Sequence, residues 1–440
     1  MPSIHFTFKP GRASRAFFLP ALGLACAGGL GLVAFTSHFA LAAEATRVVS
    51  AGDDDNPYDL NLSLVYGHEA RQGQLMREST SAAGEVVRVP DQIFKQTRDT
   101  LNVRMDIGLL PDIGLFLNLP LVIADNRTLS FDDTDAGTSS LLRDQLLPGF
   151  GQADYGIDAV HGRSFTGPSS KTFAGPTRKG LEYLAFGLNW AMFNQKRVAA
   201  EPTWLLGFEA RVDVSKTMRF DPNKPKANTA VGPGYHQLLV NTMASRRFGP
   251  LEPYVGGWYM FPIKTASSPF EKQGMGSEAM SNPQQRAYVT AGVEATVWER
   301  PDEHQSISLE LRMSVETRFL GLARSDLWEP LSGSATCANT PATGCRPGLD
   351  SQDLDGDGKV DPNSGITRSP TYGIFGGDVG LNVRAGEHVR FRGIFGLTAE
   401  QNRFMTDARS NYSSFDSPGR RFYVQDAYGY RLLLDGAILF

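Results

Sequence analysis

Polar and apolar residues alternate one for one through much of this chain. In the last ten residues, RLLLDGAILF, one face holds Leu432, Leu434, Gly436, Ile438 and Phe440; the other holds Arg431, Leu433, Asp435, Ala437 and Leu439. A period of two marks a β-strand, because successive side chains leave opposite sides of the backbone. The first face is wholly apolar, and the second hides two charges. The same division recurs in LNVRMDIGL, WLLGFEARVDVS, ISLELRMSVETRF and VRFRGIFGLTAE. In each, Leu, Val, Phe, Ile or Met alternates with Arg, Asp, Glu, Ser or Asn.

Carried along the chain, the pattern predicts about twelve strands: 58–70, 98–109, 112–125, 181–194, 203–218, 234–247, 252–265, 285–299, 304–321, 371–384, 388–402 and 427–440. Their connections alternate in length. LPD, QKRVAAEP, FGPLE, ERPDEH and AGEH are short turns, whereas the other links are long and polar, the longest running from about 126 to 180. Short turns at one end and long loops at the other are the mark of a transmembrane antiparallel barrel. A soluble sandwich also alternates, but its loops need not. The expected fold is therefore all-β, a twelve-stranded antiparallel β-barrel of the outer-membrane type, with lipid against the apolar faces. An even strand number puts both termini on the short-turn side. A last strand ending on Phe440 resembles the signal read by the barrel assembly machinery. Trp204, Phe319, Tyr428 and Tyr430 fall near strand ends, where interfacial aromatic girdles belong.

The N-terminus fits that destination. Lys9, Arg12 and Arg15 precede an apolar stretch from Ala16 to about Leu41, and ALAAEA offers small residues for cleavage after Ala42. This reads as a secretory signal peptide over 1–42, with an uncleaved membrane anchor as the alternative. A periplasmic leader over 43–57 and a barrel over 58–440 would follow. Loss of 1–42 removes three basic residues and no acidic one, taking the formal net charge from −4 to −7. Such a balance gives no reason to expect nucleic acid. The expected location is the outer membrane of a Gram-negative bacterium, loops extracellular and termini periplasmic.

If lipid meets the apolar faces, the opposite faces line a lumen. They collect Arg104, Asp106, Glu209, Arg211, Asp213, Glu310, Arg312, Glu316, Arg318, Asp378, Arg384, Arg390, Arg392, Arg431 and Asp435. Two readings stand. The charges line a polar pore for small solutes, with the arginines favouring anions. Alternatively they pair across strands and fill a narrow, non-conducting barrel whose loops contact partners.

One long connection carries separate chemistry. DLDGDGKVD places Asp353, Asp355, Asp357, the Lys359 carbonyl and Asp361 at the first, third, fifth, seventh and ninth positions of a calcium loop, with Gly358 at the turn. The twelfth position is Ser364 where a full EF-hand has glutamate, so modest affinity and a structural role are expected; a solvated acidic loop is the alternative. Cys337 and Cys345 stand nearby, and in an exported chain they are expected to form a small loop disulfide. No organic cofactor is implied. No nucleophile, metallohydrolase or phosphate-loop motif stands in a fitting context, so the chain is not expected to be an enzyme.

Residues 100–125, TLNVRMDIGLLPDIGLFLNLPLVIAD, resemble a hairpin recurrent in transporters of the phenol meta-degradation pathway, relatives of the fatty-acid transporter barrels. Arg104, Asp112 and Pro120 fill its places, and GLEYLAFGLNWAMFNQ with EPTWLLGFEARVDVS is similar to the next hairpin. Met105 departs from the usual tyrosine. The resemblance covers about a quarter of the chain and implies passage of small molecules, hydrophobic or aromatic ones among them.

Overall fold

The computed structural model describes residues 46–49, 60–80, 83–132, 172–220, 226–265, 268–270, 282–331, 366–405 and 421–440. In chain order the strands are β1 (Leu60–Thr80), β2 (Val86–Leu110), β3 (Ile113–Phe131), β4 (Thr172–Ala174), β5 (Arg178–Leu181), β6 (Leu184–Phe193), β7 (Thr203–Val212), β8 (Tyr235–Ser245), β9 (Leu251–Lys264), β10 (Arg286–Arg300), β11 (Gln305–Arg318), β12 (Gly321–Arg324), β13 (Ile366–Ser369), β14 (Tyr372–Ala385), β15 (Val389–Glu400), β16 (Arg403–Phe404) and β17 (Phe422–Leu439). A four-residue helix, α1 (Trp328–Leu331), follows β12.

Twelve of these strands form one antiparallel barrel in the order β1-β2-β3-β6-β7-β8-β9-β10-β11-β14-β15-β17. β17 returns to β1, from Asn61 opposite Leu439 to Arg77 opposite Phe422. Closure leaves no sheet edge, so the backbone groups find partners without water.

Alternation decides which way each side chain points. Leu309, Leu311, Met313 and Val315 of β11 are exposed, as are Phe391, Phe395 and Leu397 of β15 and Leu432, Leu434 and Ile438 of β17. Every barrel strand contributes to this apolar outer surface. A contiguous apolar face of that extent is unfavourable in water and matches hydrocarbon. Trp190 and Trp204 lie exposed toward the short-turn end, and Tyr428 and Tyr430 toward the long-loop end.

Three boundaries differ from the sequence expectation in ways that matter for the site. The stretch 71–97, expected as a long polar connection, instead continues β1 and β2, paired from Arg71 opposite Gln96 to Thr80 opposite Val86 with one bulge between Leu75 and Met76. β2 alone runs 25 residues, far beyond the roughly 9–11 that a membrane-spanning strand needs. The polar side chains there misread as loop because neither face meets lipid. β7 ends at Val212, which leaves Asp213 just beyond the strand. Its backbone N–H donates to Nδ1 of His236 at 3.0 Å. The last strand also begins earlier than expected, at Phe422.

At the short-turn end, Pro111 and Asp112 close β2 onto β3, with Asp112 in the left-handed region at φ 63°. Its carboxylate accepts from Asn194 Nδ2 at 2.7 Å and pairs with Arg197 Nε at 3.0 Å, tying two adjacent turns together.

Candidate functional site: the barrel interior and its roof

The inward faces hold the charges expected there, and most of them are paired. Asp378 of β14 sits between two arginines, Nε of Arg312 at 2.9 Å and Nη2 of Arg431 at 2.8 Å. Glu310 accepts from Arg392 Nη2 at 2.5 Å and from the Tyr254 hydroxyl. Nearer the short turns, Arg390 pairs with Asp435 at 3.2 Å, and Arg384 Nε donates to the Gly386 carbonyl at 3.3 Å. On the opposite wall Arg104 grips Asp106 two residues along its own strand and Arg211 grips Glu209, at 2.7 and 2.6 Å; farther along β11, Arg318 grips Glu316 in the same way at 2.8 Å. Partners two apart on one strand share a face, which makes each such pair local.

The two walls are filled unequally. The carboxylates Asp378 and Glu310 keep side-chain exposures of 2% and 3% against 17% and 14% for Asp106 and Glu209, and Arg312 and Arg392 keep 16% each against 33% and 26% for Arg104 and Arg211. The β11, β14, β15 side is packed with charge-assisted hydrogen bonds, the strong kind. The β2, β3, β6, β7 side is more open around Arg104 and Arg211. There Arg104 lies over the Phe116 ring at 4.1 Å and Arg211 over Tyr183 at 5.1 Å. Across the lumen Trp258 and Tyr288 stack at 5.5 Å with a 10° interplanar angle.

At the long-loop end, segments from four connections fold over the barrel. β4 and β5 pair with β3, and β12 pairs with β13. Their organiser is Arg178, fully buried, which donates to Glu329 Oε1 of α1 and to the carbonyls of Asn228, Ala230 and Arg219. Gly175 is required by this packing: a Cβ there would lie 2.3 Å from a Glu329 carboxylate oxygen. Trp328, 1% exposed, lies against the guanidinium groups of Arg178 and Arg324. Tyr235, Phe270, Leu322 and Ile366 form a small apolar core beside it.

Below this roof lies a cavity of about 440 Å³. Eight arginines and five carboxylates reach it. Arg71 pairs with Asp326 at 2.7 Å and with Glu400; Arg403 joins both, at 3.6 and 2.7 Å. Arg98 pairs with Glu182 at 2.5 Å and Asp125 at 3.9 Å, and Arg127 with Asp125 at 3.4 Å. Asp326 lies on the roof. Burial would raise its carboxyl, but the charges of Arg71 and Arg403 outweigh burial and hold it below the usual range. Burial brings Arg324 down to about 10.

The short-turn mouth is occupied by the chain's own N-terminal segment. Thr46 Oγ1 lies 2.7 Å from Ser245 Oγ, which donates to Glu252 at 2.7 Å. The Val49 carbonyl lies against Gly114, where a Cβ would meet it at 2.6 Å.

Cys337, Cys345 and the loop of Asp353, Asp355, Asp357, Lys359 and Asp361 lie outside the described residues, as does the segment 1–42. Among the described residues, no group of three His, Cys, Asp or Glu could hold a metal ion. The sequence reading missed Arg71, Arg178, Arg324, Asp326, Glu329 and Arg403. They stand in stretches read as loops, where no period assigns a face. The one available signal was RSDLWEPL, a short run carrying charge on both sides of a tryptophan.

No family model matches this chain, and no curated protein matches it. Among solved structures it is similar to an outer-membrane channel from Pseudomonas putida F1, at 10% identity over 89% of this chain and 100% of that one, TM-score 0.37. It is also similar to a FadL homologue from Pseudomonas aeruginosa, at 8% identity over 91% and 96%, TM-score 0.35. A third is the outer-membrane protease OmpT from Escherichia coli, at 10% identity over 90% and 100%, TM-score 0.29.

Proposed function

We propose that the protein is an outer-membrane channel for passive or facilitated diffusion of small molecules, hydrophobic or aromatic ones among them. The observation that carries this reading is the unequal filling of the interior. One wall is the more tightly packed, around Asp378 and Glu310, while the Arg104 and Arg211 wall keeps more exposed charge and aromatic surface. An open, arginine-lined strip is what a narrow pore needs, and it favours anions or polarisable rings. In this reading the short turns and both termini face the periplasm, the long loops face outward, lipid covers the apolar belt, and Phe440 marks the last strand for the assembly machinery. Calcium at 353–361 and a Cys337–Cys345 bridge would staple one long outer loop. The lumen residues set selectivity and perform no covalent chemistry.

A second reading has its own support. The buried ion pairs at Asp378 and Glu310, with residues 46–49 in the mouth, fit a non-conducting barrel that presents its loops to partners. Conductance of the refolded mature chain in a planar bilayer separates the two, measured with and without calcium. Discrete, reproducible steps are expected, with anions favoured. Silence from a folded, heat-modifiable barrel supports the second reading.

A further inference from the structure

The carboxylate pairs around the roofed cavity account for six of its eight arginines. Arg286 and Arg324 remain. Arg324 donates to two backbone carbonyls, those of Pro233 at 2.9 Å and Met218 at 3.0 Å. That uses two of its five N–H donors and leaves it without a close ion pair among the described residues, Asp213 being near enough only for its charge to be felt. The Arg286 side chain, at the start of β10, makes no hydrogen bond or close ion pair among the described residues; its Nε is buried without a partner, and Glu316, already gripped by Arg318, is the carboxylate that feels its charge. Both arginines stand on one side of the cavity, because β12 runs alongside 282–285: Gln284 N–H donates to the Leu322 carbonyl and Phe319 N–H to that of Gln285.

A guanidinium N–H shielded from water without an acceptor is costly. Two such groups on one wall leave N–H donors without an acceptor among the described residues. Directly beside them the wall changes character. Phe270 lies 5.2 Å under Arg324 and meets Tyr235 edge-on at 5.3 Å. The cavity volume falls within the range of small-molecule sites. A ligand that satisfies both features carries one anionic head and one flat apolar ring.

We propose that this cavity is a binding site for a single-ring aromatic carboxylate, its carboxylate held by Arg286 and Arg324 and its ring against Phe270 and Tyr235. The site gives the channel reading a substrate class, and rests on that reading for its role in transport. Binding itself needs no conduction. Bidentate arginine contacts select a planar carboxylate over a neutral phenol, and the aromatic edge selects it over a short aliphatic acid.

The test is a fluorescence titration of the refolded full mature chain in detergent, since Trp328 is buried against Arg324. The probes are benzoate, phenol and acetate. Benzoate is expected to give a saturable change, with phenol and acetate at least about tenfold weaker. Arg286→Gln and Arg324→Gln are each expected to weaken benzoate about tenfold and to leave phenol unchanged. Arg324 also bonds the roof, so Arg286→Gln, which breaks no hydrogen bond among the described residues, is the decisive variant. Absence of saturable benzoate binding, equal binding of phenol, or an Arg286→Gln protein that binds as the parent does overturns the proposal. Conductance measured in parallel separates the two readings. A conducting barrel blind to benzoate sinks this site alone, and a silent barrel that binds benzoate sinks the channel alone.

Discussion

Arg178 and Glu329 lie 151 positions apart and form a buried ion pair, Nη2 to Oε1 at 2.7 Å, with side-chain exposures of 0% and 4%. The pair joins the segment after β4 to α1 and sets the height of the roof over the cavity. Removing one partner strands the other charge. Glu329→Ala should therefore destabilise roof docking by about 3–5 kcal/mol, whereas the double change Arg178→Met with Glu329→Leu should recover most of it. Limited proteolysis of the folded barrel reads this. Equal roof cleavage in the single and double variants would contradict it.

Asp378 neutralises two arginines at once. Asp378→Asn keeps the shape and removes the charge, leaving Arg312 and Arg431 without their shared anion. In a conducting barrel the reversal potential in a salt gradient should move toward anion selectivity. A shift toward cations would show that these arginines do not face the ion path.

Residues 46–49 sit in the short-turn mouth through Thr46, Ser245, Glu252 and the Val49 carbonyl. A barrel refolded from residues 51–440 should conduct more than one refolded from 43–440. Equal conductance would place the narrowest point deeper, at the Asp378 and Glu310 level.

Met313 is the most exposed apolar side chain of the outer face, at 72%. Placed near the middle of β11, it should lie close to the bilayer centre. Met313→Arg should cost about 2–4 kcal/mol in refolding equilibria into lipid. A loss below about 1 kcal/mol would put this residue near an interface instead.

Asp326 is held below the usual carboxylate range, so its pairing stabilises the docked roof above its unfolded value near 3.8 and is lost as pH falls below that. Roof segments should become protease-sensitive, or exchange amide hydrogens faster, on acidification below about pH 4. They should stay unchanged between pH 5 and 8. Asp326→Asn should show the acid behaviour already at neutral pH.

Strand identity and facing were legible in single segments, because the inward–outward choice repeats every two residues and needs only local sequence. Arg104, Glu209, Arg312, Asp378 and Arg431 could be placed on inner faces for that reason. Pairs two residues apart, such as Arg211 with Glu209, were within reach of the same logic. Asp378's double partnership was not, because it depends on the register of β11, β14 and β17 and on side-chain choice across them. The β1–β2 extension escaped for a related reason: where a hairpin leaves the apolar belt, alternation in polarity ceases while backbone pairing continues. The roof was beyond the sequence altogether. Arg178, Arg324 and Asp326 acquire their roles from contacts between connections far apart in the chain, brought together only when the barrel closes beneath them. Local periodicity determined the wall and its two faces; long-range burial of charge and aromatic rings decided what the wall encloses.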